Sequence, residues 1–287
     1  MNSWSVSAIG GIVLAAWMLA PGAVWAQESV AVRAALAKTI PDDPAAAEWS
    51  HAPAATFPMS PQVHWPTRIL EVTANNVTVR GLNDGKQVAI LLEYADPTED
   101  ADDAAAVEFM VGDKKAHFAH GQPMAQVEGG PVNIWFWKNK SAKALDMNAQ
   151  GFGTLKVQDQ QDVTGKGVYQ NGKWKVMFSR ALANADTNDT QFKPGEFINI
   201  AFAVWDGKKD PDSGDLKEKG SQKAVSSWWY FRAEPPPDRS PYVFAVLAIG
   251  AAALLEMVIV GKIRNGSGSA VETTRSGLRP EEAVRNG

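Results

Sequence analysis

Few side chains in this sequence can do metal or redox chemistry, and their scarcity narrows the choices. The 287 residues include no cysteine and four histidines. Disulfides, thiolate-bound zinc, iron–sulfur clusters and haem attached through Cys-x-x-Cys-His are therefore excluded within this chain. Any redox cofactor must be held non-covalently. His117 and His120 lie three apart in a polar loop; such a pair could begin a metal site, but without a third ligand it is more often an ordinary solvated loop. Thioethers and amines remain. Met124 follows Pro123 in a glycine-containing loop just before PVNIWFWK at 131–138, and Lys223 stands immediately before AVSSWWYF at 224–231. A thioether is a soft ligand that raises the potential of haem iron. Lysine binds iron only as the neutral amine, which calls for a desolvated pocket. Taken by themselves, both residues also read as ordinary loop side chains.

No Gly-x-Ser-x-Gly, His-Glu-x-x-His, P-loop or dinucleotide fingerprint occurs, so no enzyme chemistry announces itself. Tryptophan is abundant, with 11 residues. Trp135, Trp137, Trp174, Trp205, Trp228 and Trp229 fall in strand-forming segments. They suit either core packing or an apolar cavity for a planar ligand or a sugar. The net charge of −4 gives no sign of a nucleic-acid partner.

The elements that would position these residues are strands. VTVR at 77–80 alternates, Asn83-Asp84-Gly85 supplies a turn, and 88–94 is an apolar strand. Segment 106–111 is short and apolar. In PVNIWFWK, Val132, Ile134 and Phe136 share one face, and Asn133, Trp135 and Trp137 the other. Asn171-Gly172, flanked by 167–170 and 173–180, predicts a hairpin with a type I′ turn. FINIAFAVW at 197–205 reads as a strand buried on both faces, and 224–231 as the last strand of the domain. Segment 31–37 predicts a short helix, and the acidic run Glu99–Asp103 a solvated loop. About eight short strands and little helix make an all-β chain, a β-sandwich.

Both ends differ from this body. Residues 1–26 read as a signal peptide, with an apolar run over 8–20 and Val24-Trp25-Ala26 before Gln27. Residues 27–234 form the exported domain, and 235–241 a proline-rich spacer opened by three consecutive prolines. Residues 242–261 have the length and apolarity of a transmembrane helix. Lys262 and Arg264 begin a tail, 262–287, expected in the cytoplasm. Glu256 lies four residues before Val260, close enough to the inner interface to snorkel. The expected arrangement is a periplasmic domain anchored in the inner membrane by its C-terminal helix.

Taken in order, several segments carry a family resemblance: Asp84-Gly85 with VAILLEYAD, Ala106-Val-Glu-Phe109, Met124 with PVNIWFWK, Gly172-Lys-Trp174 with Phe178-Ser-Arg180, Phe192-Lys-Pro-Gly195, IAFAVWDG at 200–207, and Lys223-Ala-Val-Ser226 with Trp228. Together they span roughly residues 47–231, and their order and spacing are what make them specific. In these the chain resembles the haem b-binding γ subunits of ethylbenzene dehydrogenase, dimethylsulfide dehydrogenase, selenate reductase and chlorate reductase. The resemblance implies a β-sandwich electron carrier with one haem b, not a catalytic subunit. It also implies Met124 and Lys223 as axial ligands, with Lys217 and Lys219 as competing lysines, and Trp135, Trp137 and Phe118 burying the haem. The implied partners are the iron–sulfur β subunit and molybdenum α subunit of a DMSO reductase-type enzyme, or other respiratory complex subunits. This chain departs from soluble members in its membrane tail and in the long charged loop Lys208–Gln222. Sugar-binding modules share the expected fold, so a membrane-tethered carbohydrate-binding module, or a structural subunit without haem, are the rival readings. The topology is testable: protease added to intact spheroplasts should digest the body and spare the tail, and a body protected until the membrane is permeabilised contradicts it.

Overall fold

Strand formers and turn residues in this chain partition into a single, strongly bent sheet. The computed structural model describes residues 31–62, 72–118, 122–207 and 222–275. The segment 1–26, His120, Lys217 and Lys219 lie outside the described residues. In chain order the strands are β1 (Ala31–Leu36), β2 (Ala55–Pro58), β3 (Ser60–Pro61), β4 (Asn76–Asn83), β5 (Gln87–Ala95), β6 (Ala104–Met110) and β7 (Val132–Lys138). They continue with β8 (Lys143–Ala149), β9 (Lys156–Val157), β10 (Thr164–Gln170), β11 (Lys173–Ala181), β12 (Phe197–Asp206), β13 (Gln222–Val225) and β14 (Trp229–Ala233). The helix α1 (Ser240–Arg275) follows.

The strand order is β10-β11-β5-β4-β1-β14-β12-β6-β7-β8-β9, with β2 on β4, and β13 between β12 and β3. One half centres on β4, β5, β10 and β11, the other on β6, β7, β8 and β12. Their inner faces pack on each other as a β-sandwich. Trp137 of β7 meets Trp174 of β11 edge-on with centroids 5.1 Å apart, and Trp135 lies 6.5 Å from Phe178 of β11. One cluster of buried residues runs through both halves, including Val79, Ile90, Val107, Phe109, Val176 and Phe231. Alternation sets the faces of β7 as read from the sequence: Trp135 and Trp137 are buried, Ile134 and Phe136 only partly so. The turn at Asn171-Gly172 has φ of 53° and 72°, the paired positive values that a type I′ turn requires.

Three local expectations are corrected. Segment 31–37 contains strand β1, not a helix. Its Ala-rich composition favours helix only weakly, and parallel pairing with both β14 and β4 overrides it. The final segment is two strands, β13 and β14, divided at 226–228, where Ser226 bonds to Phe202 in both directions, Oγ accepting from its N–H and N donating to its carbonyl. Within the acidic run, Asp103 is fully buried rather than solvated.

A polar clamp crosses the interior. Arg180 of β11 is enclosed; its Nη1 lies 3.1 Å from Asp189 Oδ2 and donates to Asn133 Oδ1 of β7 at 3.1 Å, while Nη2 donates to the Thr190 carbonyl. The guanidinium also faces the rings of Trp135 and Phe192 at 5.2 and 5.3 Å. Asn133 in turn donates to Asp146 of β8 at 2.6 Å.

The chain divides into two compact units, Met1–Pro235 and Pro236–Gly287. Within the second, Ser240–Lys262 has a mean hydropathy of 2.6 and is long and apolar enough to cross a membrane. Its apolar side chains, Leu247, Ile249 and Leu254 among them, are exposed.

Arg180→Ala should lower the free energy of unfolding by about 3–5 kcal/mol, because it strands the buried Asp189 carboxylate. Urea denaturation of the purified protein measures this, and a loss under 1 kcal/mol would show that the clamp is not holding the two halves together.

Candidate functional site

The outward face of the β6–β7–β12–β13 half carries a cavity of about 780 Å³, within the range of small-molecule and cofactor sites. Strand alternation builds its floor: Glu108 of β6, Val132 and Ile134 of β7, Ala203 of β12, and Lys223 and Val225 of β13. Pro58, Ser60–Gln62, Ala116–Phe118, Gly151–Gly153 and Leu155 form the walls. At the rim Gly129 and Gly130 press backbone against backbone: an added Cβ would come within 2.2 Å of the Gln150 carbonyl at the first and 2.6 Å of the Lys115 carbonyl at the second. Only glycine lets these loops approach so closely.

Much of the surface inside is apolar. Ala116, Val132 and Ala149 form a small cluster of their own, with Met110, Ile134 and Trp228 packed against it. Phe118 lies on Trp228 in a stacked arrangement with centroids 5.3 Å apart. The Trp228 Nε1 is buried and has no hydrogen-bond partner among the described residues.

Two charged groups enter this surface. Lys223 Nζ lies 4.9 Å over the ring of Trp205. Burial pushes the Glu108 carboxyl up from 4.5 to about 7, and the charge of Lys223 opposes that rise. A carboxyl and an amine thus share an apolar compartment, where the charge of the amine favours ionisation of the carboxyl.

The residues expected to form a site from sequence separate into groups. Lys223 and Phe118 line the cavity. Met124 opens a short 3₁₀ turn, Met124–Gln126, in the same 111–131 loop that supplies Ala116–Phe118 and Gly129-Gly130 to the wall. His117 also lines the cavity and is exposed. Trp135 and Trp137 are not brought to the cavity. They project from the other face of β7, into the sandwich interior, where Trp135 packs on Phe109 and Phe192 and Trp137 on Trp174. Glu108, Phe152 and Leu155 line the cavity without having been singled out in the sequence. Glu108 could have been noticed as the lone charge in the apolar strand AAAVEFM.

The cavity offers an iron porphyrin apolar walls and, from Lys223, an amine against an aromatic ring.

Glu108→Gln should alter the pH dependence of stability. The folded carboxyl keeps its proton up to about pH 7 while the unfolded one loses it near 4.5. The contribution of this group is therefore full below pH 4.5 and is lost as pH rises through 7. The Gln variant should gain on the wild type by about 2 kcal/mol between pH 5 and pH 8 in denaturant melts; a constant difference would refute the assignment.

Known proteins align with most of this chain. Residues 146–216 match the ethylbenzene dehydrogenase family. A protein of Haloferax mediterranei named as a respiratory nitrate reductase heme subunit (ORF7) is 26% identical over 80% of this chain and 82% of its own. The dimethylsulfide dehydrogenase subunit gamma of Rhodovulum sulfidophilum is 29% identical over 70% of this chain and 78% of its own. The chlorate reductase subunit gamma of Ideonella dechloratans is 27% identical over 66% and 78%. Among solved structures, a family 9 carbohydrate-binding module of Caldicellulosiruptor kristjanssonii in complex with cellotriose aligns over 73% of this chain and 96% of its own, at 10% identity and a TM-score of 0.41. The same module in complex with glucose gives 9% identity and a TM-score of 0.40 over 72% and 97%. Through these matches, the chain is similar to a heme subunit and to the γ subunits of dimethylsulfide dehydrogenase and chlorate reductase, and part of it matches the ethylbenzene dehydrogenase family.

Proposed function

We propose that this chain is an electron-transfer subunit that holds one non-covalent haem b in the outer-face cavity, with Met124 and Lys223 as axial ligands. The carrying observation is that Lys223 enters a cavity of cofactor size whose wall is built from the Met124 loop, in a chain whose relatives include a heme subunit and two γ subunits. When bound, such a haem would supply one-electron transfer, with Met124 and Lys223 as the residues that would hold it. Val132, Ile134 and Phe118 would exclude water from it, and the Met124 thioether would raise its potential. Lys223 ligates only as a neutral amine. Glu108 bears on this directly: its ionised form would favour the ammonium, and burial resists that ionisation. The chain itself performs no catalysis.

The partners we infer are the iron–sulfur β subunit and molybdenum α subunit of a DMSO reductase-type enzyme, or the equivalent subunits of a respiratory membrane complex. Residues 1–26 direct export, and Ser240–Lys262, long and apolar enough to cross a membrane, anchors a periplasmic body with the C-terminus in the cytoplasm.

Purified protein should show a Soret band and sharp reduced α and β bands of low-spin haem, with the porphyrin extractable by acid acetone. Met124→Ala and Lys223→Ala should each open a coordination position, and Met124→Ala should lower the potential. Acidification should detach the lysine in wild type and change nothing at that position in Lys223→Ala. A chain without haem, binding members of a glycan panel, would favour a carbohydrate-binding module. Wild-type low-spin spectra in both variants would refute the ligand assignment.

A further inference from the structure

Three aspartates converge within the body in a way the haem reading does not use. Asp96 follows β5, Asp103 precedes β6 and Asp206 ends β12. They are 1%, 0% and 8% exposed. One carboxylate oxygen from each lies within 4.8 Å of the others. Asp103 is held firmly: Oδ2 accepts from the Asp100 N–H at 2.6 Å and from Trp174 Nε1 at 3.0 Å, and Oδ1 accepts from the Gly207 N–H at 2.7 Å. Asp206 Oδ2 accepts from Thr73 Oγ1 at 2.5 Å. Asp96 is different. Its Oδ1 accepts from the Thr98 N–H at 3.2 Å, but its Oδ2 is buried and accepts no hydrogen bond among the described residues. The nearby Tyr94 hydroxyl gives its proton to the Ala104 carbonyl instead.

An ionised carboxylate oxygen left without a donor in a water-poor setting is strongly unfavourable, and more so beside two other carboxylates. Burial first, and then the Asp103 and Asp206 charges, push the Asp96 carboxyl up to about 7. A cation satisfies all three groups at once. The donors are hard oxygens, which suit Ca²⁺ or Mg²⁺ rather than a thiophilic metal. An ion with Ca²⁺–O distances of about 2.3–2.6 Å spans oxygens up to about 5 Å apart, whereas Mg²⁺ at about 2.0–2.1 Å spans only about 4 Å. We propose that Asp96, Asp103 and Asp206 bind one calcium ion, which ties the β5–β6 turn to the end of β12. This site stands apart from the haem cavity and does not depend on the haem reading.

The test uses full-length protein in detergent, stripped with EDTA. Adding Ca²⁺ to about a hundredfold above its dissociation constant should raise Tm by about 5 °C or more. Tb³⁺ should luminesce under tryptophan excitation, because the Trp174 indole bonds to a ligand carboxylate, and Ca²⁺ should displace it. Asp96→Asn keeps the side-chain shape and should abolish both responses, while Asn at the exposed Asp42 should leave them intact. A wild type with no change in Tm and no Ca²⁺-displaceable luminescence overturns the proposal, even if Asp96→Asn does not fold. An Asp96→Asn protein that retains both responses overturns it too.

Discussion

Strand β1 pairs in parallel with two strands at once, Ala31–Ala34 with Tyr230–Ala233 of β14 and Ala34–Leu36 with Gly81–Asn83 of β4. This double pairing joins the halves of the sandwich into one sheet. It also unites distant parts of the sequence. The register is reinforced by the Asn83 amide, which donates to the Ala34 carbonyl at 2.7 Å, and by the Arg33–Glu234 ion pair at 3.0 Å. The exposed ion pair adds little, whereas the buried amide satisfies backbone that water cannot reach. Because β14 pairs with β12, and β12 carries β6 and β13, the cavity floor is placed indirectly by these six residues of β1. Such long-range pairing means that β1 cannot take its place until the last strand of the body exists.

The two faces of β7 divide the labour. Inward, Trp135 and Trp137 fill the sandwich and meet Phe178 and Trp174. Outward, Val132 and Ile134 help to floor the cavity. A residue shift of one along this strand would exchange the two sets. The Arg180 clamp resists that slip, since Asn133 must face inward to accept from the guanidinium while donating to Asp146.

Much of this architecture was legible in the sequence because alternation and turn chemistry are local. The Asn171-Gly172 hairpin and both faces of PVNIWFWK follow from residue order alone. β1 was not legible, since AVRAAL carries no strand signal apart from its partners. β8 was missed for a similar reason: KALDMNA mixes polar and apolar residues without clean alternation, and it is paired with β7 along its whole length. At the candidate site, Lys223 and Phe118 could be read from chain order and resemblance. The position of the tryptophans could not, since alternation tells which residues share a face and not whether that face looks into the sandwich or toward a ligand. The convergence of Asp96, Asp103 and Asp206 was hidden because the three lie on segments more than a hundred residues apart at the extremes.

The cavity lies against the outside of one sheet, and the sandwich interior closes on its own aromatic side chains. If the cavity takes its haem as proposed, the core of the body does not depend on that group. On the proposed reading, the chain can collapse first, around Trp135, Phe109 and Phe231, and receive the haem afterwards. The apoprotein would then be a folded way-station, and the supply of the proposed cofactor would set when the subunit becomes active without deciding whether it survives.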